Sequence, residues 1–277
     1  MNKKELIAAL ESLDMRPGRG LGQNFLMDAN LLDFIVRTSG LAAGEKVLEV
    51  GPGFGALTEK LVAAGADVTA IEYDHRLAEY LRKKFPQDSL TLIEKDACKV
   101  NYGELFPAGT FFRAIANLPY AISTVFIARI LESPSLPQSM LFMLQKEMGE
   151  RLSAACGSKA YGALSVRCQV CYDVSIARIV PPEVFYPAPE VDSAIVAFKR
   201  HDRHPLDPAT ARTLDRIVKL VFSQRRKQMG KVLSRGGYDA GKVAAAFETC
   251  GIPLEIRPDR VDVATFCRLG SLLSNKE

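Results

Sequence analysis

No stretch of this 277-residue chain approaches the uninterrupted apolar length of a membrane-spanning helix. The first ten residues, Met1–Leu10, are charged and lack an apolar core long enough for a secretory signal. Neither an internal repeat nor a low-complexity tract is visible, which argues against repeat arrays and disordered chains. Metal-ligand spacing is missing as well. Cys168 and Cys171 form a lone C-x-x-C with no second pair nearby, so they read as packing residues. His201 and His204 flank a linker rich in charge and proline, with no matching ligands close by. Six cysteines in a chain of this size read as reduced thiols rather than a disulfide framework. The expectation is a cytoplasmic protein with no membrane and no metal. Hydrophobic residues make up 48% of the chain, and its length supports one larger domain plus a smaller one.

Against that plain background, Asn117-Leu118-Pro119-Tyr120 stands out. Asn117 offers a side-chain acceptor and Tyr120 a flat aromatic face. Pro119 has no N–H, fixes its own φ and biases Leu118 towards an extended conformation. The apolar run Phe111–Ala116 reads as a strand, which puts the tetrapeptide at its carboxyl end, where open α/β sheets bind ligands. An acceptor beside a stacking surface suits a planar ring bearing an exocyclic amine. The alternative is a turn with a satisfied Asn and a packed Tyr.

A second signal lies upstream. Lys46–Val50 reads as a short buried strand, followed at once by Gly51-Pro52-Gly53-Phe54-Gly55 and a helix over Ala56–Ala64 that stops at Gly65. A glycine-rich turn between strand and helix lets a ligand approach the backbone closely. The strand Val68–Ile71 ends in Glu72, at the spacing where an acid accepts bonds from ribose hydroxyls. A shorter strand, Leu90–Ile93, leads to Asp96, which is placed to accept a bond from an adenine amino group. Two cofactors compete for this arrangement. Gly51, Gly53 and Ala56 satisfy the loose dinucleotide fingerprint. Glu49 and Pro52 argue the other way: an acid is awkward beside a pyrophosphate, and Pro52 removes an N–H that a phosphate-binding turn would use. S-adenosylmethionine, an adenosine with an amino acid and a sulfonium but no phosphate, fits better.

Over nearly its whole length the chain resembles the small-subunit ribosomal RNA adenine dimethyltransferases. Leu21–Leu26 is similar to the family's amino-terminal cofactor segment, Val47–Thr58 to its glycine motif and Asn117–Thr124 to its target-amine motif. Gln145–Glu147, Tyr161–Ser165, Phe185–Pro187 and Gln224–Lys227 follow in the family's order, and the ordered set is far more specific than any member. Departures are visible: Ala121 stands where Asn is usual, Lys95 where Gly is usual, and Gly230 interrupts the segment after the Arg-Arg-Lys run. The resemblance implies a Rossmann-like α/β methyltransferase sheet, with helices on both faces, and a small all-helical carboxyl-terminal domain. It implies Asn24, Leu26, Gly51, Gly53, Glu72, Asp96 and Asn117 around S-adenosylmethionine. Asn117 and Leu118 would hold the target amine, and Tyr120 and Phe185 would sandwich the flipped adenine; the alternative for Phe185 is an ordinary core aromatic. The implied substrate is two adjacent adenosines in a hairpin near the 3′ end of small-subunit rRNA, each dimethylated, on a small ribosomal subunit or its late assembly intermediate, by a monomeric enzyme. DNA adenine methylation and large-subunit RNA methylation are the neighbouring readings.

Charge divides the chain unevenly. Residues 200–277 hold 15 Lys/Arg against 9 Asp/Glu, so a whole-chain net of +4 leaves −2 for residues 1–199. The expected boundary is therefore at 200, with a catalytic domain over 1–200 and a basic RNA-docking domain over 201–277. Leu214, Ile217, Val218, Val221 and Phe222 make one apolar helical face. A further helix starting at Ser223 would carry Arg225, Arg226, Lys227 and Lys231 to Gly236; others are expected over Asp239–Cys250 and Asp262–Leu273. Arg225, Arg226 and Lys227, with Arg16 and Arg19 on the amino-terminal arm, are the candidate RNA contacts.

Overall fold

A computed structural model describes residues 3–15, 23–86 and 88–274. Its elements run α1 (Lys3–Ser12), β1 (Phe25–Leu26), α2 (Ala29–Ser39), β2 (Lys46–Val50), α3 (Ala56–Ala63), β3 (Asp67–Glu72), α4 (His75–Lys84) and β4 (Leu90–Glu94). Next come α5 (Tyr102–Leu105), β5 (Phe112–Asn117), α6 (Ser123–Ile130), β6 (Ser139–Gln145), α7 (Lys146–Leu152), α8 (Ala163–Gln169), β7 (Tyr172–Val180), β8 (Phe185–Tyr186) and β9 (Ser193–Arg200). Four helices finish the described chain: α9 (Pro208–Ser223), α10 (Met229–Arg235), α11 (Ala240–Thr249) and α12 (Val263–Leu273).

Seven strands form one sheet in the order β4-β3-β2-β5-β6-β9-β7. β2 to β6 pair in parallel, and β9 joins β6 antiparallel, with Ser193 opposite Gln145. Helical crossovers cover both faces of such a sheet, so its strands carry near-continuous apolar runs; Val47, Leu48 and Val50 are all buried. Chain order runs outward from β2 to β3 and β4 on one side and to β5 and β6 on the other. The reversal lies between β2 and β5. A crevice therefore opens beyond their carboxyl ends, which are Val50 and Asn117. β5 begins one residue later than the apolar run suggests, because Phe111 is 74% exposed, and it ends by taking in Asn117.

Local signals explain the helices that flank this crevice. Asp74 caps α4 by accepting from the Arg76 and Leu77 amides, and Arg82, Lys83 and Lys84 complement the dipole in its last turn. Asp28 caps α2, and Gly40 ends it in the left-handed region. Leu6, Leu10 and Met15 pack with Phe54 and Leu77, which seats α1 against the glycine turn.

The chain forms two compact units, and the boundary is not a single cut at 200. One unit holds residues up to Gly149 with Ser175–Lys199; the other holds Glu150–Val174 with Arg200 onward. The reason is apolar: Ala154, Tyr161, Val166 and Val170 share a core with Leu214, Ile217, Val221, Phe247 and Phe266. The Tyr161 hydroxyl donates to the Val261 carbonyl at 3.1 Å, and Arg167 pairs with Asp215 at 2.6 Å. Cys168 is fully buried, and burial pushes its thiol far up, as befits a packing residue.

Within this second unit the helix expected from Ser223 starts only at Met229, as α10. It carries Lys231 and stops at Gly236 as expected but leaves Arg225, Arg226 and Lys227 outside it. Ser223 ends α9, Gln224 leaves helical geometry, and residues 225–228 form a turn before α10. Gly230 lies inside α10, where a Cβ would come within 2.9 Å of the Leu254 carbonyl oxygen. Its departure from the family pattern is thus a close-packing requirement rather than a helix defect.

Candidate active site

Gly51, Gly53 and Gly55 all have positive φ, at 69°, 59° and 76°, which side-chain-bearing residues rarely adopt. All three also lack room for a Cβ, which at Gly55 would lie 2.7 Å from the Phe85 ring. At Gly51 it would lie 3.0 Å from Pro119 Cδ and Cγ, and at Gly53 it would lie 3.1 Å from the Phe25 ring. The glycine turn therefore touches the Asn-Leu-Pro-Tyr segment on one side and the Phe25–Leu26 strand on the other. Three stretches distant in sequence converge here.

Between them lies a cavity of about 350 Å³. Its lining includes Asn24, Leu26, Gly51, Gly53, Glu72, Asp96, Asn117, Leu118 and Tyr120. Lys95 is the one cation among the described lining residues, against the carboxylates Glu49, Glu72, Asp74 and Asp96. That donor set disfavours a pyrophosphate and suits hydroxyls, amines and a cation. Glu72 is buried and held on both oxygens: one accepts from the Tyr73 and Asp74 amides at 2.8 and 2.9 Å, the other from the Gly53 amide at 3.2 Å. Burial raises its pKa, opposed by those three bonds. Glu49 is buried more completely and accepts one bond, from Thr58 Oγ1 at 2.7 Å. Desolvation pushes it from 4.5 up to about 8, with Thr58 opposing and the Glu72 charge adding to the rise. Asp96 is half-buried and caps a short 3₁₀ turn through the Cys98 amide at 2.9 Å.

Asn117 donates from Nδ2 to the Asn24 carbonyl at 3.0 Å. That bond uses one of the two Nδ2 hydrogens and fixes how the amide is turned, leaving Oδ1 as an acceptor and the second N–H as a donor. Leu118 is buried, and its amide donates to the Met143 carbonyl at 3.3 Å. Tyr120 is half-buried, and its hydroxyl lies 2.5 Å from Ser193 Oγ.

Phe185 requires a correction. It is only 2% exposed, pairs with Leu26 across β1 and β8, and packs with Val180 and Ile195 in the core. It is not among the cavity's lining residues, so its ring packs in the core rather than facing the cavity. Two residues of antiparallel strand turn the ring inward. Leu6 and Tyr73 line the cavity without having been singled out in the sequence. Tyr73, 65% exposed, carried a signal in directly following Glu72; Leu6 on α1 carried none.

The basic candidates lie elsewhere. Arg225 is half-buried and donates to the Ser158 carbonyl at 3.2 Å within the second unit, while Arg226 and Lys227 are exposed. Arg16 and Arg19 lie outside the described residues.

A mostly parallel sheet with its glycine turn and acidic strand ends at the reversal point defines an S-adenosylmethionine-dependent methyltransferase. The sequence profile of the ribosomal RNA adenine dimethylases matches residues 18–274. A "Ribosomal RNA small subunit methyltransferase A" of Pseudomonas putida is 38% identical, covering 96% of this chain and 98% of that one. The protein of the same description from Leifsonia xyli is 37% identical over 98% of this chain and 100% of its own. Among solved structures, a dimethyladenosine transferase from Plasmodium falciparum superposes with a TM-score of 0.75 at 26% identity, covering 88% of this chain and 95% of that one. The 23S rRNA methyltransferase ErmE gives 0.68 at 27%, covering 90% and 99%. The chain belongs to the ribosomal RNA adenine dimethylase family. It is an rRNA adenine-N6,N6-dimethyltransferase that uses S-adenosylmethionine, and no helix among its described residues is long and apolar enough to cross a membrane.

Proposed function

We propose that the enzyme dimethylates two adjacent adenosines in a hairpin near the 3′ end of small-subunit rRNA, acting as a monomer in the cytoplasm on a late assembly intermediate. The small-subunit methyltransferases at 37–38% identity support the choice of RNA. The observation that carries the chemistry is Asn117 at the carboxyl end of β5, its amide oriented by the bond from Nδ2 to the Asn24 carbonyl so that Oδ1 is available as an acceptor at the sheet's reversal point.

S-adenosylmethionine supplies an electrophilic methyl group on a sulfonium. Glu72 accepts from its ribose hydroxyls, Asp96 from its adenine amine, and Asn24, Leu26, Gly51 and Gly53 enclose it. Glu49, buried at the foot of the turn and with its pKa raised to about 8, would present a neutral carboxyl on that side of the site. The 6-amino nitrogen of adenine is a poor nucleophile because its lone pair is delocalised into the ring. Asn117 Oδ1 and the Leu118 carbonyl accept the hydrogens of that amine and favour a tetrahedral nitrogen with a localised pair. No strong base is required, since the nitrogen becomes acidic as it attacks and its proton leaves to water. Positioning is the main lever, and well-oriented reactants gain up to about 7–11 kcal/mol. Tyr120 supplies a stacking face for the extruded base, a contact of about 1–3 kcal/mol. Arg226 and Lys227, with Arg225 and the arm residues Arg16 and Arg19, contact phosphates.

Methyl incorporation into isolated 16S rRNA, immature small subunits, large-subunit RNA and DNA tests the reading. Dimethyladenosine is expected in the small-subunit substrates. Label confined to large-subunit RNA or DNA would overturn it.

A further inference from the structure

We infer that Ser193 is a positioning residue for methyl transfer: its hydroxyl holds the Tyr120 ring at the angle where the target adenine stacks. The inference rests on the reading of Tyr120 as the stacking face. Ser193 opens β9 and is fully buried, in a strand whose next residues are Ala194, Ile195 and Val196. A hydroxyl there needs a partner. It has one in Tyr120 Oη at 2.5 Å, the short end of the range for such bonds. Ser193 is itself immobile. It faces Gln145 across the β6–β9 ladder, and the next amide, that of Lys146, donates to the Asp192 carbonyl at 3.0 Å.

Tyr120 is thereby held at both ends. Its carbonyl accepts from Ser123 Oγ at 3.1 Å, and its hydroxyl is tied to Ser193, so the two side-chain torsions between those points have little freedom. Burial pushes the phenol up, which keeps it neutral and able to donate. The site thus reaches two strands beyond β5, to a residue outside the lining of the cavity. If Ser193 and Tyr120 formed only a satisfied core pair, loosening the ring would change stability and leave transfer intact.

The test uses the full chain with S-adenosylmethionine and immature small subunits, comparing Ser193→Ala, Tyr120→Phe and the double variant. Each single change removes the same bond from one side, and kcat should fall about tenfold, the size of one buried hydrogen bond. The double variant should fall no further, with the dissociation constant for S-adenosylmethionine unchanged throughout. Additive losses, or a normal kcat in either single variant, overturn the inference. A second readout needs no activity. In protein labelled with ¹³C at tyrosine Cζ, the resonance that disappears in Tyr120→Phe should shift in Ser193→Ala; an unmoved resonance also overturns it. Should Ser193→Ala fail to fold, Tyr120→Phe removes the bond without touching β9. A parent enzyme that leaves adenine unmethylated would strike the proposed function instead, while the resonance would still decide whether Ser193 holds the ring.

Discussion

Glu72 and Glu49 show how two acids in one cavity take different parts. Three backbone amides hold the Glu72 carboxylate in place at the end of β3. Glu72→Ala should therefore weaken S-adenosylmethionine binding by about 1.5–3 kcal/mol, as for hydrogen bonds to a charged group. Calorimetry on the folded variant measures this, and unchanged affinity would remove Glu72 from the site. Glu49, raised by burial to about 8, keeps its proton in the folded protein at pH 7, whereas an unfolded glutamate loses it near 4.5. The folded state then binds more protons than the unfolded state between those values, so stability should fall as pH rises from about 4.5 to 8. Glu72 is shifted in the same direction and adds to the slope. Urea midpoints across that window should show a shallower slope for Glu49→Gln, and an identical slope would mean that Glu49 is already ionised.

At the scale of elements, β8 changes what Phe185 does. As a core aromatic, its loss leaves a hole: Phe185→Ala should cost about 3–5 kcal/mol of stability, read by denaturant unfolding. A variant of normal stability with impaired transfer would restore the ring to the stacking role. The contrast shows what the sequence could convey. β2, the glycine turn, α3 and β3 were legible because each bears its own period and punctuation within a few residues. Strands β1 and β8 have two residues each and pair across most of the chain, so neither carries a period. The same limit hid the second unit's extent. Ala154, Tyr161, Val166 and Val170 look like any apolar residues until α9 is seen to pack on them. The turn over 225–228 was also lost, because Lys and Arg are good helix formers and nothing local marks Gln224 as the stop. Asn117 and Tyr120 were legible as a motif, but Ser193 was not, since a serine in a strand signals nothing until its partner is placed.

For the whole molecule, the basic unit and the catalytic unit make separate demands. Replacing Arg225, Arg226 and Lys227 together by Ala should weaken small-subunit binding and flatten its salt dependence, because each lost phosphate contact releases fewer counterions. The Arg225 bond to the Ser158 carbonyl adds a modest loss of thermal stability. A large thermal loss with an unchanged salt slope would make these residues braces instead. S-adenosylmethionine affinity should persist, since its cavity is lined entirely by the other unit. The central claim, that Asn117 activates an adenine amine, is tested most directly by single-turnover transfer to immature small subunits, with nucleosides identified by mass. Asn117→Ala should slow formation of dimethyladenosine about a hundredfold or more, the scale of one preorganised bond that strengthens in the transition state, with RNA affinity nearly intact. Near-normal turnover by that variant would contradict the account.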